Sequence, residues 1–289
     1  MKQKSNSRFI SFVVQFKQNR AALAGAIIVV LLVFVVIFAP QLSPHDPVKA
    51  SLEERLTAPC MEYPFGTDQL GRCIFSRVLY GARVSLSVGL IVVGIAATIG
   101  VVLGIISGYC GGVPDEIIVR MVDAMLAFPS LFLALAIAGI LGAGFFNVIL
   151  AITVVEWTRY ARVMRGSILS VKENYYVEAA KSLGASDIYI VTRHIVPNAI
   201  TPIIVVATLG IATVILSAAS LGFLGFGVQP PTPEWGMMLN DGRLFMRRAP
   251  WLMIFPGLAI MITILAFNLL GDGLRDAWDP RLREKRIEG

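Results

Sequence analysis

Long uncharged runs alternate with short polar stretches along this chain. A helix of about 20 residues crosses the hydrocarbon of a bilayer at about 1.5 Å per residue. Six segments approach that length: 21–39, 84–109, 126–142 (with Pro129 inside it), 145–159 (with Glu156 inside it), 199–219 and 251–270. None alternates with period two, and lipid offers no partner to a free backbone group, so helices are expected rather than a β-barrel. The pattern predicts an all-α integral membrane protein with about six transmembrane helices. The first run is as long as a span and has no small-residue cleavage site close behind it, so it reads as an anchor and not a cleaved signal.

Composition agrees. Of 289 residues, 56% are hydrophobic and only 15% charged, and the mean hydropathy is +0.74. A soluble domain carries about 25% charged residues. The net charge of +6 would suit a nucleic-acid binder, but the Lys and Arg cluster beside apolar runs, as they do at membrane surfaces.

Orientation follows from those basic residues. With the N-terminus inside, the cytoplasmic segments hold Lys2, Lys4, Arg8, Lys17 and Arg20, then Arg120, then Arg159, Arg162, Arg165, Lys172, Lys181 and Arg193, and finally Arg275, Arg281, Arg283, Lys285 and Arg286. That is 17 of the 25 Lys and Arg, so both termini are expected in the cytoplasm. Three loops are long enough to carry structure: 40–83 and 220–250 outside, and 159–198 inside.

Several chemistries lack their residues. There is no Gly-x-x-x-x-Gly-Lys-Ser/Thr loop to cradle nucleotide phosphates. The only histidines, His45 and His194, are expected on opposite sides of the membrane, and no His/Cys/carboxylate cluster has metal-ligand spacing. Proton-coupled carriers keep ionisable groups at membrane depth. Here only Glu156 qualifies, beside Arg159, so the energy for any transport is expected to come from a partner.

The inner loop reads as two helices with a break. An amphipathic stretch over 167–183 carries Ile168, Val171, Tyr175 and Ala179 at helical spacing, and Gly184 ends it. Ser186 can cap a second helix over 187–194, with Asp187 in its first turn and Pro197 ending it. Ala179 and Ala180 are small enough to let another protein approach closely. The run Glu178-Ala179-Ala180, with Gly184 four residues on and Ile195-Val196-Pro197 beyond, resembles the EAA coupling loop of ABC importer permeases. Phe65-Gly66-Thr67-Asp68-Gln69-Leu70-Gly71-Arg72, Leu221-Gly222-Phe223-Leu224-Gly225, Pro230-Pro231-Thr232-Pro233-Glu234-Trp235-Gly236 and the C-terminal run from Phe267 to Asp276 with Asp279-Pro280 resemble the "C" subunit of the dipeptide/oligopeptide/nickel branch. The likeness covers residues 19–283. Cys73 departs from it, since an Asp usually follows Gly-Arg in that branch.

The resemblance implies the type I importer (MetI-like) permease architecture in a bacterial cytoplasmic membrane. It also implies a second, different permease, two cytoplasmic ATPase subunits that use ATP and Mg, and an external solute-binding protein. This chain would be no enzyme and would bind no cofactor. Its cargo would be peptides, with nickel or a nickel chelate as the alternative. Glu178, Ala179, Ala180, Gly184, Ala185, Ser186 and Pro197 would form the ATPase-coupling loop. The implied division is a cytoplasmic segment 1–20, a first span 21–39, an external loop 40–83, a permease core 84–283 with coupling loop 159–198 and external loop 220–250, and a tail 284–289.

Three sets of residues remain open. Gly100, Gly104 and Gly108 form a small-residue stripe for helix packing. Asn147, Thr208, Thr213 and Asn268 are polar groups at membrane depth that either line a pathway or bond between helices. Cys60 and Cys73 share an external loop, where a disulfide could form. The alternatives there are two free thiols or a soft-metal site.

The orientation has a direct test. In a background without Cys60 and Cys73, Val48→Cys or Thr232→Cys should react with an impermeant thiol reagent applied from outside, and Lys172→Cys or Lys285→Cys should not. The reverse labelling pattern would overturn the orientation.

Overall fold

The structure, a computed structural model, describes residues 15–278. The expected features at Lys2, Lys4, Arg8, Asp279-Pro280, Arg281, Arg283, Lys285 and Arg286 lie outside the described residues. Among the described residues the elements are helical, and one isolated antiparallel bridge pairs Thr67 with Cys73.

The first helix, α1 (Arg20–Leu42), starts where the Asn19 side chain accepts a hydrogen bond from the Ala22 amide at 3.1 Å. Ala22, Gly25 and Ala39 are buried, while Ile27, Val30, Phe34 and Ile37 stay exposed. An apolar helix so uncovered has lipid as its solvent. Next comes α2 (Ile74–Cys110), 37 residues long. A bent pair follows, α3 (Gly112–Leu126) and α4 (Ser130–Leu141), with 88° between them. A helix of 28 residues, α5 (Phe145–Lys172), leads into three short helices, α6 (Tyr175–Ser182), α7 (Asp187–Ile190) and α8 (Val196–Ala199). The chain closes with α9 (Thr201–Phe223), the short α10 (Trp235–Gly242) and α11 (Trp251–Trp278).

Four helices, α1, α2, α9 and α11, are long and apolar enough to span a membrane, and the α3–α4 pair is a fifth if counted as one span. The expected span 126–142 is corrected. Pro129 offers no amide to continue a helix and biases Phe128 away from helical geometry, so the chain turns there. What remains is α4, with 12 residues and about 18 Å of length, against about 30 Å of hydrocarbon. The expected span 145–159 is only the first half of α5, which runs on through Arg159, Arg162 and Arg165.

The most extensive pairing in the molecule is between α2 and α5. Gly100, Gly104 and Gly108 make it, all within this one chain. A methyl group on Gly100 would lie 2.5 Å from Tyr160 Cβ, and one on Gly104 would lie 2.6 Å from Met164 Cβ and 2.7 Å from the Ala161 carbonyl. On Gly108 it would lie 2.8 Å from Ile168 Cβ. Tyr160, Met164 and Ile168 are fully buried against this seam. Around it, α9 packs on α2 and α5, and α11 packs between α9 and α1.

Gly104→Val should therefore force the two backbones apart and cost about 1–3 kcal/mol, read as a lower midpoint of thermal unfolding in detergent. Gly166→Ala is the control, because a methyl there meets nothing within 4 Å. It should leave the midpoint unchanged or raise it.

Candidate functional site

At one end of the bundle α6, α7 and α8 stand out from the helices. The break before them is not where the sequence pattern puts it. Asn174 Nδ2 donates to the carbonyls of Ser170 at 3.2 Å and Val171 at 2.9 Å, satisfying the end of α5 just before α6 begins. The expected single helix over 167–183 is thus the end of α5 plus α6. Its buried face is Ile168 and Val177, while Tyr175 is 89% exposed.

The stop after α6 follows the expectation. Gly184 has φ +78°, its amide donates to the Lys181 carbonyl at 3.0 Å, and the Ala185 amide reaches the Ala180 carbonyl at 3.2 Å. This double closure needs a left-handed residue at that position, and glycine adopts one without strain. Ser186 Oγ accepts from the Tyr189 amide at 3.4 Å and caps α7. The role expected of Pro197 is corrected. The chain passes through one π-helical turn, Val191–Ile195, and Pro197 sits in the first turn of α8, where its missing amide costs nothing.

Val177, Ile190 and Ile195 anchor this module in the main core. Glu178, Ala179 and Gly184 remain exposed, and Ala180 and Ala185 are half-buried. Leu183 at 87% and Ile188 at 79% exposure leave bulky apolar surface on either side of the glycine turn. Two contacts tie the module to the end of α2. Tyr109 donates its hydroxyl to Asp187, and Lys172 Nζ donates to the Tyr109 carbonyl at 2.8 Å. Between them lies a hollow of about 510 Å³ lined by Tyr109, Lys172, Glu178, Lys181, Asp187 and Ile190. Close by, Arg165 holds Asp115 through two hydrogen bonds of 2.7 and 2.8 Å, Ser107 also donates to Asp115, and Arg162 pairs with Asp123 at 3.1 Å. These bonds fasten α3 to α5 and to the end of α2.

At the opposite end the separate loop motifs come together. Asp68 Oδ1 accepts from the amides of Leu70 and Arg72, and its Oδ2 accepts from Arg72 Nε at 2.6 Å, with Arg77 Nε 3.7 Å away. Arg72 also reaches Asp241 at 4.0 Å, so two buried cations face two carboxylates. Arg77 donates to the carbonyls of Pro47 and Pro231, and Trp251 Nε1 donates to the Thr67 carbonyl at 3.1 Å. Glu234 caps α10, accepting from the amides of Gly236 and Met237 at 2.7 and 2.8 Å and from Ser85 Oγ at 3.4 Å. Burial pushes its carboxyl above the usual range, against the opposing pull of those donors.

Three of the four polar groups expected at membrane depth have local partners. Asn147 Nδ2 donates to the Leu141 and Gly142 carbonyls, and the hydroxyls of Thr208 and Thr213 bond back to Ile204 and Leu209 of their own helix. Asn268 is half-exposed on α11. The sequence pattern missed Tyr109, Lys172, Asp115 and Arg165, since partners 50 or more residues apart leave no periodic signal.

The expected disulfide is not formed: Cys60 and Cys73 are free thiols, the first exposed and the second buried. Cys60 Sγ accepts from the Tyr63 amide at 3.4 Å, and Cys73 is closed in beneath the start of α2. Among the described residues no three His, Cys, Asp or Glu side chains are placed to hold a metal ion.

A bundle of apolar helices with an exposed two-helix module at one end and an interlocked cap at the other is the architecture of a transport permease. The chain matches the family model for the inner membrane component of binding-protein-dependent transport systems over residues 100–284, and that for the N-terminal transmembrane domain of oligopeptide transport permease C over residues 7–59. The dipeptide transport system permease protein DppC of Alkalihalophilus pseudofirmus is 47% identical over 93% of this chain and 88% of its own length. The glutathione transport system permease protein GsiD of Escherichia coli O157:H7 is 47% identical over 93% of this chain and 89% of its own. In fold the chain resembles the crystal structure of an amino acid ABC transporter with histidines, at a TM-score of 0.57 and 17% identity over 69% of this chain and 92% of that one. The chain belongs to the binding-protein-dependent permease family of ABC importers, in the dipeptide/oligopeptide branch, and is a multi-pass protein of the inner membrane.

Alkylation of the native protein without reductant should modify Cys60 rapidly and Cys73 only after denaturation, read by mass spectrometry of the peptides. A Cys60–Cys73 linked peptide in that sample would contradict the free-thiol geometry.

Proposed function

We propose that this chain forms half of the membrane channel of a short-peptide importer and carries one of its two ATPase contacts. The other components are a second, different permease, two ATPase subunits that bind ATP and Mg, and an external solute-binding protein. One observation carries the reading: the α6–Gly184–α7 module offers Leu183, Ile188 and the small Ala179 to solvent while Val177 and Ile190 root it in the core. A partner that grips the exposed side can move the rooted side.

The path of that movement is short. Tyr109 and Lys172 connect the module to the end of α2, and the glycine seam connects α2 to α5. Closure of the ATPases would shift the module and, with it, α2 and α5. At the far end, the cap built on Asp68, Arg72, Arg77 and Glu234 presents loops 43–73 and 224–250 to the binding protein. On this reading the module lies in the cytoplasm and the cap outside. Peptide cargo rests on the relatives, one a dipeptide and the other a glutathione permease by name.

Substitutions at the turn test the coupling. No atom lies within 4 Å of a methyl on Gly184, so a side chain there acts through backbone strain alone. Gly184→Val, strained by about 1–2 kcal/mol, and Ala179→Arg should abolish ATP-driven dipeptide uptake in proteoliposomes of the assembled transporter while the chain still inserts. Gly184→Asn, which tolerates the left-handed region, should retain most uptake. Full uptake by both disruptive variants would refute the assignment.

A further inference from the structure

Beside the module, the same end of the bundle carries a second hollow of about 440 Å³ between α5, α9 and α11. Its wall is apolar, from Val205, Val206 and Leu209 of α9, and its rim holds Arg159 of α5 with Arg275 and Trp278 of α11. Among the described residues five other arginines, Arg72, Arg77, Arg120, Arg162 and Arg165, sit in ion pairs, while solvent-exposed ones such as Arg193 and Arg243 do not. Arg159 and Arg275 have neither an ion pair nor a hydrogen bond among the described residues. Glu156, one turn earlier and buried in the bundle, makes no ion pair with Arg159. On α11, Asp276 is engaged by Asn19 at 3.2 Å.

An anion seated in the hollow could meet both guanidinium groups that line it. Guanidinium matches a phosphate through paired N–H donors. The apolar wall beneath suits a glycerol backbone and the start of an acyl chain, and Trp belongs at the level of lipid headgroups. Basic pockets between transmembrane helices on the cytoplasmic side take anionic headgroups. We propose that this hollow binds one anionic phospholipid of the cytoplasmic leaflet, its phosphate held between Arg159 and Arg275 and its acyl chain laid along α9. The choice of leaflet rests on the orientation given under the proposed function; the lipid site itself does not depend on transport. Because α9 and α11 pack on each other and α5 lies against α9, a lipid here would brace the helices that flank the module.

The test uses the assembled transporter in nanodiscs of phosphatidylcholine with and without phosphatidylglycerol, read by native mass spectrometry of retained lipid and by thermal unfolding. The wild type should retain phosphatidylglycerol and unfold at a higher temperature in its presence. Arg159→Gln with Arg275→Gln should weaken that retention at least about tenfold, as expected for losing hydrogen bonds to a charged group, with an unchanged midpoint in pure phosphatidylcholine. If the double variant unfolds there too, Arg159→Lys with Arg275→Lys keeps the charge and should show intermediate retention. Arg120→Gln, an exposed arginine outside the hollow, should behave as wild type. Equal retention by the wild type and the glutamine variant would overturn the proposal. So would a midpoint raised by inorganic phosphate or by a dipeptide but not by phosphatidylglycerol, since either would make the hollow a site for a soluble anion. Loss of lipid retention with uptake intact would still support the lipid site, whereas loss of uptake in the Gly184 variants bears only on the coupling.

Discussion

The close approach of α2 and α5 is the constraint on which the rest depends. Gly100, Gly104 and Gly108 let the backbones meet where any side chain would collide with Tyr160, Met164 or Ile168. In a bilayer, burial of apolar surface gives helices little reason to associate, so such close van der Waals contact has to supply much of the attraction. Each partner of this seam continues beyond the apolar zone. The start of α2 carries Arg77 into the cap, its last residues carry Tyr109 to Asp187, and α5 ends beneath the exposed module. The two ends of the molecule are thereby joined through one rigid pair of helices.

The ends differ in how they use polar groups. The cap hides its charges: Asp68, Arg72, Arg77 and Glu234 are buried, and each carboxylate is met by amides, a hydroxyl or guanidinium. Burying such groups is tolerable only when they are fully partnered, and removal of one partner is then costly. That favours a cap with a single arrangement. The module has the opposite character, with short helices, a glycine turn and exposed Leu183 and Ile188. Few buried contacts hold it, which suits the coupling role proposed for it.

Much of the bundle was legible in the sequence because lipid-facing and core-facing helices are both apolar, and runs such as 21–39 and 251–270 mark them directly. The edges were less legible. α2 begins ten residues before its uncharged stretch, because Arg77 is neutralised by Asp68, and α5 outlasts its apolar half because Arg162 and Arg165 are paired to α3. A hydropathy run registers a charge without registering its partner. Gly184 and Ser186 were readable as turn and cap because their chemistry is local. Asn174 was not, because its side chain ends a helix that its neighbours would continue. The free Cys60 and Cys73 make the same point: sharing a loop does not bring two side chains together.

Docking of the ATPase subunits on the α6–α7 module is the central claim, and hydrogen–deuterium exchange measures it directly. Comparing the chain alone with the chain assembled on its ATPase subunits, exchange across residues 175–190 should slow markedly, while the capped segment 64–74 stays as it was. Unchanged exchange across 175–190 on assembly would contradict the account.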